Sequence, residues 1–137
     1  SIGQTLYSAG FDMAGLTLED ASGLSVDGKI PARLLDQVLT SAAGTEQPAL
    51  RPMLDYLPVA GATGTLTDRY ASGNRTGAGW VRAKTGTLSA ASALAGYVVD
   101  VDGRILTFAL MSNDRPPDVS RPALDAVAST LRLCGCQ

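Results

Sequence analysis

Apolar residues recur at helical spacing in three stretches of the chain, and each stretch predicts an amphipathic helix. The first stretch covers residues 2–13, with Gly15 placed to end the helix. The second begins at Pro31, a residue suited to a first helical turn, and ends before Gly44. The third follows the prolines at 116–117 and closes the chain, and a shorter helix is expected over residues 48–56. The residues that mark the three longer helices are Ile2, Leu6, Ala9 and Met13; Leu34, Leu35, Val38 and Leu39; and Pro122, Leu124, Val127, Leu131 and Leu133.

Runs of β-forming residues predict a three-stranded meander in the second half of the chain. The strands are expected over residues 80–88, 93–99 and 104–111, and Asp102-Gly103 lies in the turn between the last two. Because Asp-Gly between two such runs is a strong hairpin signal, consecutive strands should pair antiparallel. The order of elements makes the fold class α+β, with an antiparallel sheet flanked by helices.

Three further segments connect these elements. Leu16-Thr17-Leu18 alternates like a short strand and runs into residues 20–25, which are mostly small, turn-forming residues and predict a loop that presents side chains. Residues 57–79 contain five glycines with threonine and serine between them. That composition predicts a long connection on the surface.

Composition narrows the classes of function. The chain has 137 residues, which fit one domain, and its 45% of hydrophobic residues can build a sizeable core. Charged residues make up only 18% and the formal net charge is -2, so there is no basic surface to neutralise phosphates and no nucleic acid partner is predicted. No apolar stretch approaches the roughly 20 residues needed to span a bilayer.

Histidine is absent, which excludes a Ser-His-Asp site and a His-ligated zinc site within this chain. The acidic residues of the first half do not have a metal-ligand spacing, and we predict neither a metal nor a cofactor. Cys134 and Cys136 lie one residue apart, so a bridge between them would close a small, strained ring. Either both are half-buried thiols, or one or both pair with a cysteine outside this chain, which would fit an oxidising compartment.

The chemistry of one strand stands out. Lys84-Thr85-Gly86-Thr87 lies on the first strand of the meander, where it would present a cation, two hydroxyls and a close-approaching backbone along one line. The lysine suits a carboxylate, and the threonines can hydrogen-bond it. The alternative interpretation is that Lys84 is an exposed lysine on an edge strand, where its charge opposes edge-to-edge aggregation.

The surroundings of this tetrapeptide resemble one protein family. Lys-Thr-Gly is one of the three signatures of β-lactamases and penicillin-binding proteins. The matching runs, in order along the chain, are residues 20–25, 57–61, 64–66, 81–88 and 94–98. Together they resemble the D-alanyl-D-alanine carboxypeptidase and endopeptidase family of penicillin-binding proteins. The resemblance implies a β-lactamase/transpeptidase-like fold of which residues 1–137 are the carboxy-terminal part.

The resemblance also implies an activity and a location. Such proteins are serine peptidases that cleave between two D-alanines of peptidoglycan stem peptides through an acyl-enzyme, and β-lactam antibiotics acylate them. They work outside the cytoplasm of bacteria. The nucleophile lies in a Ser-x-x-Lys motif, and no serine of this chain has a lysine three positions later. The chain begins Ser1-Ile2-Gly3-Gln4, with neither a basic start nor an apolar signal segment, so we expect that motif in a partner segment upstream of residue 1.

The same resemblance implies roles for individual residues. Ser25 matches the serine of a Ser-x-Asn motif, whose hydroxyl takes part in proton transfer, and Asp27 stands at the position of the asparagine. Lys84 would hold positive charge beside the nucleophile, while Thr85 and Thr87 would hydrogen-bond the substrate carboxylate. Gly86 would let the substrate lie against the backbone, and the N–H of Thr87 would form half of an oxyanion hole.

Two alternatives remain open at the level of sequence. Because Asp27 lacks the amide donor of asparagine and adds a negative charge, the chain could belong to a non-catalytic module that binds cell-wall peptides. The other alternative is a β-lactamase of the same fold, which the run Ser22-Gly23-Leu24-Ser25 disfavours.

Overall fold

The computed structural model describes residues 1–135 as an antiparallel sheet covered by helices on both faces. The strands are β1 (Val81–Leu88), β2 (Ala91–Val99) and β3 (Ile105–Asn113), which pair antiparallel in the order β1-β2-β3. The α-helices are α1 (Ile2–Ser8), α2 (Ala32–Ala43) and α3 (Pro117–Arg132), and a 3-10 helix covers Pro48–Tyr56. The predicted α+β class and the meander are confirmed. Within the described residues, no helix has the length and apolar character to cross a membrane.

Side chains alternate between the two faces of the sheet, and each face has its own cover. On one face, Val81, Ala83, Leu94 and Val98 pack with Leu124 and Ala128 of α3. On the other face, Ala95 and Tyr97 pack against Leu39 and Ala42 of α2 and Leu54 of the 3-10 helix. The predicted apolar stripe of α2 is confirmed, since Leu34 and Leu39 are buried and Leu35 and Val38 are half-buried.

The glycine-rich segment 57–79 differs from the predicted surface connection. Ala60, Leu66 and Tyr70 are buried in the cluster under α3, and a short 3-10 helix covers Gly64–Leu66. Arg69 donates two hydrogen bonds, of 2.9 and 2.6 Å, to the carboxylate of Asp125 on α3. The apolar residues of this segment are too sparse to form a periodic pattern, so the sequence did not predict their burial. Three of them, Ala60, Leu66 and Tyr70, nevertheless anchor the segment in the core.

The predicted first helix is too long. It ends at Ser8 because Gly10 adopts a left-handed backbone with φ 85°, which takes the chain out of the helix five residues before Gly15. The predicted strand at Leu16–Leu18 is only a single bridge between Thr17 and Lys29.

The end of the chain also departs from expectation. α3 has the predicted position, but Val127 and Leu133 of its expected stripe are 48% and 61% exposed. Of the two alternatives for the cysteines, the half-buried thiol is wrong for Cys134, which is exposed, while pairing with a cysteine outside this chain stays a prediction. Cys136 lies outside the described residues.

Gly96 permits the close approach of β1 and β2. It lies opposite Ala83 in the register, and a Cβ placed on it would come within 2.0 Å of the carbonyl oxygen of Arg82 and 2.6 Å of Cα of Ala83. No rearrangement of a side-chain tip relieves a clash with backbone atoms. β1, with Lys84 next to Ala83, can keep its place only if position 96 is glycine.

We therefore predict that Gly96→Ala lowers the free energy of unfolding by about 2 kcal/mol or more, the upper range for overpacking, as measured by urea denaturation. Gly86→Ala is the matched control on the same sheet, because its Cβ would meet only Cβ of Ala93 at an ordinary 3.4 Å. Equal stability of the two variants would contradict this role of Gly96.

Candidate active site

The outer edge of β1 is paired along its first half. The N–H of Ala83 donates to the carbonyl oxygen of Pro58 at 3.0 Å, and the N–H of Ala60 donates to that of Val81 at 2.9 Å. These bonds show that the backbone groups of residues 81 and 83 point away from β2. In an antiparallel ladder this direction repeats every second residue, so the N–H and C=O of Thr85 and Thr87 also point outward.

The second half of that edge is open. Among residues 1–135, no backbone group bonds to the outward N–H groups of Thr85 and Thr87. The segment that covers the start of β1 runs antiparallel to it, with a bridge between Val59 and Arg82, and its backbone hydrogen bonds to β1 extend no further along the strand than Ala83, which bonds to Pro58. The edge at Thr85–Thr87, called the open edge below, can therefore accept one short extended strand of another molecule.

Lys84 brings a positive charge to this edge. Its side chain is exposed, and Nζ donates to the outward carbonyl oxygen of Thr85 at 2.6 Å. Within the described part of the chain no carboxylate lies within 4.0 Å of Nζ. The charge is thus available to an anionic ligand.

The two threonines of the motif make different contacts. The hydroxyl of Thr85 donates to Oγ1 of Thr65 at 3.0 Å, and Oγ1 of Thr87 accepts from Nη2 of Arg121 at 3.3 Å. The sequence interpretation did not single out Thr65 or Arg121. Thr65 lies in a run already matched to the family, but Arg121 is 34 positions from Thr87, and an arginine on a helix carries no signal of its own.

Gly86 is not required by the packing of the sheet. A Cβ at this position would make an ordinary contact with Ala93, and the backbone is not left-handed. The fold would accept a side chain at position 86, but glycine has none. The backbone there is therefore open to the close approach of a ligand.

Ser25 and Asp27 lie in a loop whose polar contacts are internal. The carboxylate of Asp20 accepts from the N–H groups of Gly23 at 2.6 Å and Ser25 at 2.9 Å, and Oγ of Ser25 accepts from the N–H of Asp27 at 3.3 Å. In the described residues, no hydrogen bond or ion pair joins this loop to β1. The structure brings Lys84, Thr85 and Thr87 together with Thr65 and Arg121, and the roles of Ser25 and Asp27 stay predictions.

Comparisons with known proteins bear on this arrangement. A family model described as the D-Ala-D-Ala carboxypeptidase 3 (S13) family matches residues 1–132. A Mycolicibacterium smegmatis protein named carboxypeptidase DacB is 54% identical over 133 residues, which are 96% of this chain and 29% of that protein.

Solved structures show the same fold. Penicillin binding protein 4 from Haemophilus influenzae superposes with a TM-score of 0.78 at 22% identity, over 96% of this chain and 30% of that one. A predatory endopeptidase from Bdellovibrio bacteriovorus, solved as a penicillin G-acylated protein with an immunity protein, has a TM-score of 0.56 at 26% identity, over 94% of this chain and 35% of that one. The chain spans about a third of the length of each of the three proteins.

The contacts of Asp20 generate a prediction about the loop that carries Ser25. The N–H of Gly23, together with that of Ser25, holds the pKa of Asp20 below its usual value. A carboxylate with a lowered pKa stabilises the folded loop at pH values above the ordinary aspartate pKa of about 3.9, and this support is lost as the pH falls through the lowered value.

We expect the amide protons of Gly23 and Ser25 to be protected from hydrogen exchange at neutral pH, and Asp20→Asn to reduce that protection. Amide exchange read by NMR measures the effect, with Glu19→Gln, which removes the neighbouring charge, as the control. Loss of protection in the wild-type protein already near pH 6 would contradict the lowered pKa.

Proposed function

Because the chain belongs to the D-Ala-D-Ala carboxypeptidase 3 (S13) family, we propose that it is the carboxy-terminal part of a serine-type D-Ala-D-Ala carboxypeptidase that acts on peptidoglycan peptides. The observation that carries this proposal is the open edge at Thr85–Thr87 with Lys84 beside it. The carboxypeptidase name of the Mycolicibacterium relative supports it, as does the penicillin G-acylated structure of the Bdellovibrio endopeptidase.

In this proposal the substrate peptide adds to β1 as an extended strand. Its backbone exchanges hydrogen bonds with the outward groups of Thr85 and Thr87, and its terminal carboxylate lies near the charge of Lys84. A serine upstream attacks the carbonyl carbon between the two D-alanines, and the N–H of Thr87 donates to the oxyanion that forms. Terminal D-alanine leaves with a proton on its nitrogen, and water then hydrolyses the ester on the serine.

Ser25 and Asp27 enter the proposal on the sequence match alone. The hydroxyl oxygen of Ser25 accepts from the N–H of Asp27, so its proton is free to be donated to another group. In the proposed role that proton takes part in the transfer to the leaving nitrogen. Asp27 supplies a carboxylate where the family motif has an amide.

We also propose that the partner of this chain is an upstream segment of the same protein, which carries Ser-x-x-Lys. Within the described residues, the outer edge of β3 pairs with no strand. A groove runs along it between α2 and α3, lined by Phe108, Ala109, Leu110, Val127 and Leu131 and by Asp36 at one side. An apolar groove beside free backbone groups suits a further strand. Because the proposed substrate is peptidoglycan, we further propose that the protein acts outside the bacterial cytoplasm.

The central test is acylation of the full-length protein by a fluorescent penicillin. We expect a stable covalent label, and Lys84→Met should slow its formation by about a hundredfold, the usual effect of removing one preorganised electrostatic group. Arg104→Gln is the charge-matched control, since Arg104 is exposed at the opposite end of the sheet.

Each alternative gives a different result in that assay. If the folded protein binds D-Ala-D-Ala peptides and takes no label, the result favours the non-catalytic module that binds cell-wall peptides. Rapid release of hydrolysed penicillin identifies a β-lactamase. Labelling of Lys84→Met at the wild-type rate would contradict the proposed role of β1 in the active site.

The groove beside β3 gives a second prediction. Residues 1–137 expressed alone should self-associate and bind a hydrophobic dye, because the groove and the strand edge lack their cover. Val127→Lys, on the groove wall, should weaken the association, whereas Ala126→Lys, exposed on the same helix, should not. Size-exclusion chromatography with light scattering measures the mass, and a monomer of 14.1 kDa that binds no dye would contradict the proposal.

A further inference from the structure

A second cation reaches the open edge of β1. Nη2 of Arg121, on α3, donates to Oγ1 of Thr87 at 3.3 Å. Arg121 is exposed, and in the described part of the chain no carboxylate lies within 4.0 Å of its guanidinium group. Its charge, like that of Lys84, is not neutralised locally.

Arg121 and Lys84 approach from opposite faces of the sheet. α3 covers the face that holds Ala83 and Leu94, and Arg121 extends from there to Thr87. Lys84 belongs to the other face, where its register partner Ala95 packs against α2, and its Nζ reaches the edge at the carbonyl oxygen of Thr85. The two charges therefore lie on either side of the open edge.

The contact with Arg121 determines what the hydroxyl of Thr87 can do. An oxygen that accepts from the guanidinium group keeps its own proton for another acceptor. The hydroxyl of Thr85, in contrast, already donates to Thr65. Of the two threonines, Thr87 is thus the one with an uncommitted hydroxyl proton at the edge.

The contact between Arg121 and Thr87 is not needed to hold α3 on the sheet. α3 is already held to the sheet by Leu124 and Ala128 and to segment 57–79 by the pair of Arg69 and Asp125. An exposed hydrogen bond of 3.3 Å adds little to such packing.

We propose that Arg121 is a carboxylate-recognition residue of this site: with the hydroxyl of Thr87 it binds the terminal carboxylate of the substrate, opposite Lys84. The inference rests on the proposed function and deepens it by assigning selectivity for a free carboxyl terminus. Guanidinium and hydroxyl donors side by side match the two oxygens of a carboxylate, and a lysine in place of Arg121 would offer the charge without the planar fork.

The test compares two peptides that end in D-Ala-D-Ala, one with a free carboxylate and one with a carboxy-terminal amide, on the full-length protein. Arg121→Gln should lower kcat/KM for the carboxylate peptide by roughly ten- to a hundredfold, as expected for a hydrogen bond to a charged group, and leave the amide peptide nearly unchanged. Arg121→Lys should retain part of the preference, and Arg104→Gln all of it. Thermal unfolding of each variant reports on the fold.

An unchanged preference in Arg121→Gln, with penicillin acylation intact, would overturn this inference and leave the proposed function standing. An equal loss on both peptides would also overturn it, because it marks a structural role. A wild-type protein that turns over neither peptide and takes no penicillin label would overturn the proposed function and the inference with it.

Discussion

The alternation of backbone direction along β1 is the constraint on which the rest of the structure depends. Residues 81 and 83 use outward groups to bind segment 57–79, and the same alternation leaves the outward N–H groups of Thr85 and Thr87 without a backbone partner among residues 1–135. In the proposed function, one strand is therefore both a part of the core and a binding surface. Where the first role stops, at Ala83, the second begins, at Lys84.

The fold fixes β1 from several directions so that its free part stays in place. Gly96 allows β2 to approach, Val81 and Ala83 are buried under α3, and the segment on the outer edge is held by Tyr70 and by the pair of Arg69 and Asp125. Ordering these groups costs conformational entropy at folding and not when a ligand binds. A preformed edge of this kind suits recognition of a short peptide, which has few contacts with which to order its site.

Much of this could be predicted from the sequence, for physical reasons that differ between elements. The meander and α2 follow from local patterns: Asp102-Gly103 marks a hairpin, and the stripe of α2 repeats at helical spacing. The core role of segment 57–79 could not be predicted, because Leu66 and Tyr70 are isolated among glycines and are buried only by contacts with distant elements. The contact of Arg121 with Thr87 could not be predicted for the same reason, since only the packing of α3 against the sheet brings Arg121 to β1.

The central claim is that the open edge of β1 holds the ligand carboxylate between Lys84 and Arg121, and a crystal structure of the full-length protein acylated by penicillin tests it most directly. We expect the acyl carbonyl oxygen to accept from the N–H of Thr87, and the carboxylate to lie within hydrogen-bonding distance of the hydroxyl of Thr87 and of the guanidinium group of Arg121. An acylated ligand that makes no contact with residues 84–87, or whose carboxylate points away from this strand, would contradict the account.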